Sequence, residues 1–228
     1  MFFDPNYLLL VMIPSLILSL GAQMFVQSAY KKWGNTRNGS GLTGAQVGQR
    51  ILQTSGLHGV RFEGTAGELT DHYDPSNHTV RMSQGVATVP SVAAMAIVAH
   101  ELGHAQQYEE KSPFIAMRSF LVPAMQFSPM ISYALILAGL LFSIMPLAWL
   151  GIGFFAIVVG FMLLTLPVEF DASRRGLKLL EQSGLMVTAE DRNGARQILT
   201  AAALTYVAAF ISSLLTLIYY ISLVSRRD

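Results

Sequence analysis

Three stretches of this chain contain no Asp, Glu, Lys or Arg: residues 5–30, 119–168 and 197–225. No other feature restricts the fold so strongly. A helix needs about 20 mostly apolar residues to cross the hydrocarbon core of a bilayer. The first and third stretches therefore hold one span each, and the second, 50 residues long, holds two. Ser143-Ile-Met-Pro146-Leu-Ala-Trp149 interrupts the middle stretch, and Pro and Trp suit a turn at the membrane interface. The pattern predicts four transmembrane helices, over 5–27, a hairpin across 124–167, and 199–224. The first reads as a retained anchor. Its flank carries Asp4 rather than Lys or Arg, and its apolar run exceeds the roughly 7–15 residues of a signal-peptide core.

Composition agrees with a membrane protein. Charged residues are 13% of the chain, against roughly 25% in soluble domains. A net charge of +1 provides no basic field for nucleic acid, and no nucleic-acid-binding signature is present. The chain has no cysteine, so any metal site must be built from His, Asp or Glu.

Between the first span and the hairpin lies a polar region, 28–118. Asn35–Gly41 reads as a loop. Thr43 is placed to cap a helix that carries Val47, Ile51 and Leu52 on one face and stops at Gly56. Strand-like segments follow at Val60–Phe62, Leu69–Tyr73 and His78–Met82, with turn residues at Gly64–Gly67 and Asp74–Asn77. They predict a small antiparallel sheet. Ser91–Glu110 reads as a helix with Ser91 as its cap. A second polar segment, 168–197, is predicted to be helical at least to Leu180.

The helix at 91–110 contains His100-Glu101-Leu-Gly-His104. Residues i and i+4 share a helix face, one turn apart, so the two imidazoles can bind one metal ion while Glu101 reaches a metal-activated water. With 5 His, such a match arises by chance roughly 0.004 times. Catalytic zinc takes three protein ligands and a water. A helical hairpin returns the chain to the side it left, so Glu169, the first charge after the hairpin, is the leading third ligand, with Asp171 the alternative. His72 and His78 lie on presumed strands and His58 after a loop; they are weaker candidates. One Zn2+ per chain is the implied cofactor.

These residues resemble the bacterial membrane-bound neutral zinc metallopeptidases of the YugP type. The likeness is carried by Val98-Ala-His-Glu-Leu-Gly-His-Ala-Gln-Gln107, Asp71-His-Tyr-Asp-Pro75 and Pro167-Val-Glu-Phe-Asp-Ala-Ser-Arg-Arg175, and it extends over nearly the whole chain. More distantly the chain is similar to the membrane zinc proteases of the heat-shock and prenyl-protein-processing group. The resemblance implies a membrane α+β protein with a zincin-like helical domain, His100, His104 and Glu169 as ligands, and Glu101 as general base. The distant group commonly has a carboxylate four residues after the ligand Glu, as partner to a ligand His. Here that position is Ser173, and the carboxylate is Asp171.

The reading is a zinc metalloendopeptidase acting on a peptide or membrane-protein substrate. An extended substrate is expected on an edge strand near the motif, at Asn77, His78, Thr79, Val80 and Arg81. Arg174, Arg175 and Tyr206 are candidates for oxyanion stabilisation. An inactive zinc-binding scaffold is the alternative, against which intact Glu101 argues. A di-iron oxidase would need more ligands. Of the 15 Lys and Arg residues, 13 lie between Lys31 and Arg196, leaving Arg226 and Arg227 on the other side. That bias predicts a catalytic region on the cytoplasmic face of the bacterial inner membrane.

Overall fold

The computed structural model describes residues 4–227, the side chain of Ser119 excepted. Four helical segments dominate. Asp4 accepts a hydrogen bond from the Asn6 amide (2.9 Å) and caps α1 (Pro5–Tyr7), which continues through a π-helical stretch, Leu8–Met12, into α2 (Ile13–Gly34). After α3 (Gly44–Ser55), α4 (Gln84–Thr88) and α5 (Val92–Glu109) come α6 (Pro113–Leu141), α7 (Met145–Gln182) and α8 (Ala189–Ser225). The segment Pro5–Gly34 and helices α6, α7 and α8 are long and apolar enough to cross a membrane.

The chain divides into two compact units. The first comprises residues through 23, 116–167 and 204 onward. Its centre is apolar, with Val11, Ile136, Ala148, Ile152, Phe155 and Tyr220 buried together. Its outer side chains are also apolar: Phe120 is 83% exposed, Leu141 72% and Ile17 66%. An apolar exterior of this kind is costly in water and natural in lipid. Gly139 and Gly151 let α6 and α7 approach at backbone contact, since a Cβ at either would meet Ala148 or Ile136 within 2.8 Å. Small residues serve helix packing in this way where no hydrophobic drive separates helix from lipid.

The second unit comprises 24–115 and 168–203. Thr43 and Gln46 form a reciprocal capping box at the start of α3, and Gly56 ends it at φ 71°, in the left-handed region where glycine carries no Cβ penalty. Three strands follow: β1 (Arg61–Thr65), β2 (His72–Asp74) and β3 (Thr79–Ser83). The antiparallel sheet read in the sequence is in fact mixed. The order is β1-β3-β2, with β3 parallel to β1 and antiparallel to β2. Burial explains the arrangement. β3 is buried at Thr79, Val80, Met82 and Ser83 and takes the centre, while β1 and β2 remain partly exposed as edges. The long loop after β1, with Gly67 and Leu69 at positive φ, replaces the direct β1–β2 hairpin.

Helix α5 is the axis of this unit. The Ser91 hydroxyl caps it by accepting from the Ala94 amide (3.1 Å). Its apolar residues, among them Met95, Val98 and Leu102, are fully buried against Val47 and Ile51 of α3, Val80 of β3 and Leu179 and Leu180 of α7. At roughly 1.5–3 kcal/mol for each large side chain buried, this contact fixes α5 firmly. Asp191, wholly buried, accepts from the amides of Gly39 (2.9 Å) and Thr188 (2.8 Å) and so ties the 35–42 loop to the start of α8.

Candidate metal centre

The site forms where α5 meets α7, and glycine sets their spacing. A Cβ at Gly103 would collide with the carbonyl oxygen of Ala172, and one at Gly176 would meet that of Ala99 at 2.8 Å. Backbone therefore touches backbone within the motif, at Gly103, and just before it, at Ala99. Of the two unconstrained positions between the histidines, Leu102 is buried in the core and Gly103 faces α7. Glu169 lies one helical turn before Ala172 and so comes level with the histidines.

His100 Nε2 stands 3.3 Å from Glu169 Oε2, and His104 Nε2 stands 3.5 Å from the same oxygen. The three donor atoms lie within 4.8 Å of one another. The side chains are 13%, 11% and 3% exposed, and Glu101 is buried as well.

The far side of each imidazole is also engaged. His104 Nδ1 is 3.0 Å from Gln107 Oε1, and His100 Nδ1 is 3.2 Å from Ser173 Oγ. Gln107 fixes its own orientation. Its Nε2 donates to Val168 O and to Asp171 Oδ2, both at 2.9 Å, and since neither partner can donate, the carbonyl end must face His104. His104 Nδ1 then donates, which leaves Nε2 to the centre. Outer partners hold ligand histidines in metal sites in the same manner.

Electrostatics agree with a cation here. Burial by itself would push the His104 imidazole down. Hydrogen bonding to Glu169, the charge of Glu101 and the Gln107 contact outweigh it, and the pKa is raised. Two carboxylates beside two imidazoles therefore favour positive charge at this point, and a divalent ion would balance both. The donor set, two nitrogens and one oxygen with a carboxylate next to a ligand, fits catalytic zinc.

The structure brings His100, His104 and Glu169 together and leaves Asp171 out. Asp171 accepts from Gln107, from Arg175 (2.6 Å) and from Arg174 (2.6 Å). It reaches His104 through Gln107, while Ser173 meets His100 directly. Sequence reasoning missed Gln107. The available signal was a glutamine three residues after His104, on the helix face that carries both histidines. Arg174 and Arg175 are both tied to Asp171, with Arg175 also bound to Glu110 (2.6 Å), and Tyr206 falls in the other unit.

The other histidines stand outside this cluster. His72 Nδ1 faces Thr70 O (2.8 Å), and His78 sits between Tyr73 and Glu109; of His58, the backbone amide donates to Glu109 (3.0 Å). The edge expected at Asn77, His78, Thr79, Val80 and Arg81 needs correction. Thr79, Val80 and Arg81 pair with β1 on one side and β2 on the other. A buried central strand has no unpaired backbone left for a further strand.

The family model described as "Putative neutral zinc metallopeptidase" matches residues 8–225. "Putative membrane protease YugP" of Bacillus subtilis (strain 168) is 39% identical over 217 residues, covering 95% of this chain and 96% of that protein. No solved structure matches the chain.

Proposed function

This chain belongs to the neutral zinc metallopeptidase family, and we propose that it is an integral-membrane zinc metalloendopeptidase with a zincin-like catalytic region. The observation that carries this reading is the convergence of His100 Nε2 and His104 Nε2 on one buried oxygen of Glu169. These three residues would hold a single zinc ion. Bound there, zinc would supply the Lewis acidity that polarises a scissile carbonyl and lowers the pKa of water.

The chain's own residues divide the remaining work. Glu101 is the general base: its carboxylate takes a proton from the attacking water and passes it to the nitrogen of the departing amine, so that one water is consumed and one C–N bond is broken. Gln107 and Ser173 hold the imidazoles in orientation. The substrate, a peptide or an extended segment of a membrane protein, lies along the outer edge of β2, the strand on the far side of β3 from β1. Charge bias supports a catalytic region on the cytoplasmic face of the bacterial inner membrane.

Purified full-length protein and its Glu101→Gln variant should be compared on a pool of quenched fluorescent peptides, with zinc content measured for both. Gln keeps the size of Glu but cannot accept the proton. Hydrolysis should fall by roughly 10²–10⁴-fold with zinc retained. Undiminished cleavage would falsify the proposed role.

A further inference from the structure

Three aromatic rings stand together where the sheet meets the C-terminal end of α5. Tyr73 comes from edge strand β2, His78 from the turn leading into β3, and Tyr108 from α5. Ring centroids are 5.8 Å apart for Tyr73 and His78, 6.0 Å for Tyr73 and Tyr108, and 5.8 Å for His78 and Tyr108. All three pairs are tilted or edge-on, the arrangements in which rings attract. Tyr108 follows His104 by one turn and His100 by two, so it extends the helix face that carries the ligands. Side chains on a helix lean toward its N-terminus, which inclines Tyr108 toward the turn of His104. It remains 44% exposed.

Two of the rings are locked in place. His78 Nε2 lies 2.9 Å from His58 O and 3.2 Å from Glu109 Oε1. Both partners are acceptors, so this nitrogen carries the hydrogen, and Nδ1 accepts from the Tyr73 hydroxyl at 2.6 Å. Burial, joined by Tyr108, Glu109 and Asp74, pushes the Tyr73 phenol up and keeps it a donor. His78 makes these bonds at φ 49°, in the left-handed region where Asn or Gly is the cheaper residue. The turn thus tolerates backbone strain in order to hold an imidazole between Tyr73 and Glu109.

We propose that Tyr73 and Tyr108, fixed by His78, form a subsite for a large apolar or aromatic side chain of an extended peptide lying along the outer edge of β2. The inference rests on the peptidase reading, which supplies the peptide. Strand addition at a sheet edge draws affinity from the backbone and specificity from pockets for alternate side chains. Here the edge strand contributes Tyr73 and the helix α5 contributes Tyr108, two rings in mutual contact against which an incoming side chain would stack. Glu109 beside the rings already accepts from the His58 amide and His78, and Asp74 is engaged by Arg81 and Asn77, so the ring corner offers an apolar partner rather than an ionic one.

The test uses full-length protein in detergent carrying Glu101→Gln, so that bound peptide is not turned over. Fluorescence anisotropy measures the affinity of labelled peptides on a common Gly-Ser-Thr frame, identical except for Phe or Ala scanned through successive positions. At one position or more, Phe should bind about tenfold tighter than Ala, the size expected for burying a ring against rings. Adding Tyr108→Ala should erase the difference, and adding Tyr108→Phe should keep it. His78→Asn, which suits the left-handed backbone but cannot bridge Tyr73 to Glu109, should also erase it, with zinc content unchanged in every variant. Equal affinities for Phe and Ala peptides, or a preference that survives Tyr108→Ala, would overturn the subsite. Cleavage of the same peptides by wild-type protein reads the parent function separately. Ring-dependent binding with no cleavage would remove the peptidase and leave a peptide-binding site.

Discussion

The side-chain amide of Gln107 donates to Oδ2 of Asp171 across 2.9 Å, joining α5 to α7 beside the His100–His104–Glu169 cluster. Because the same glutamine accepts from His104, this bond places the hydrogen of His104 on Nδ1 and leaves the Nε2 lone pair to the centre. Gln107→Leu keeps much of the volume and removes both functions. Zinc affinity should fall about 10–100-fold, as for other outer partners of ligand histidines, in competition titrations against a chromogenic chelator. Unchanged affinity would show that His104 needs no such support.

Metal content should respond to the ligands in a definite order. Wild-type protein is expected to carry one zinc per chain. His100→Ala with His104→Ala should abolish binding, and Glu169→Ala should weaken it more than Asp171→Ala, since Asp171 acts one residue further out. Elemental analysis of the purified variants provides the measurement. Two metals per chain, or the reverse order of the carboxylates, would contradict the assignment.

Spacing between α5 and α7 can be tested without touching a polar group. Gly103→Ala drives a methyl into Ala172 O and Gly176→Ala drives one into Ala99 O. Each should cost about 1–3 kcal/mol, as overpacking does, and lower zinc occupancy as Glu169 is displaced. Gly153 and Gly160, also on α7, have open space within 4 Å of where a methyl would sit, and their alanine variants should melt with the wild type. Thermal unfolding in one detergent compares all four. Equal melting temperatures would mean that the helices are not held at backbone contact.

Orientation calls for a cysteine in a chain that has none. The loop residue Asn38 is unsuitable, because it is buried and its amide donates to Leu42 O and Ser91 O. Glu68, exposed in the loop between β1 and β2, is the better probe. Glu68→Cys should resist a membrane-impermeant maleimide in intact cells and react after lysis. Labelling of intact cells would place the catalytic region on the outer face.

The apolar segments were legible because each rests on a long uncharged run, and the His100–His104 pairing because it lies within one helix. Glu169 was accessible through a topological argument, since a hairpin must return. The mixed order of the sheet was not readable. Strand alternation marks His78–Met82 as a strand but carries no information on which neighbours flank it. Gln107 and the glycine contacts were hidden for a related reason. Gln107 meets Asp171 and Gly103 meets Ala172 across long separations in sequence, and periodicity describes only local geometry.

Two nitrogens and one carboxylate oxygen, with no thiol anywhere in the chain, make a donor set that does little to discriminate among first-row ions. Affinity at such a set follows the general series, in which copper exceeds zinc and zinc exceeds manganese. Where the cell keeps copper out of the exchangeable pool, zinc is the expected occupant of such a set. The same permissiveness offers a spectroscopic handle: cobalt supplied in place of zinc should bind at this candidate centre, without thiols to oxidise, and report its coordination by colour.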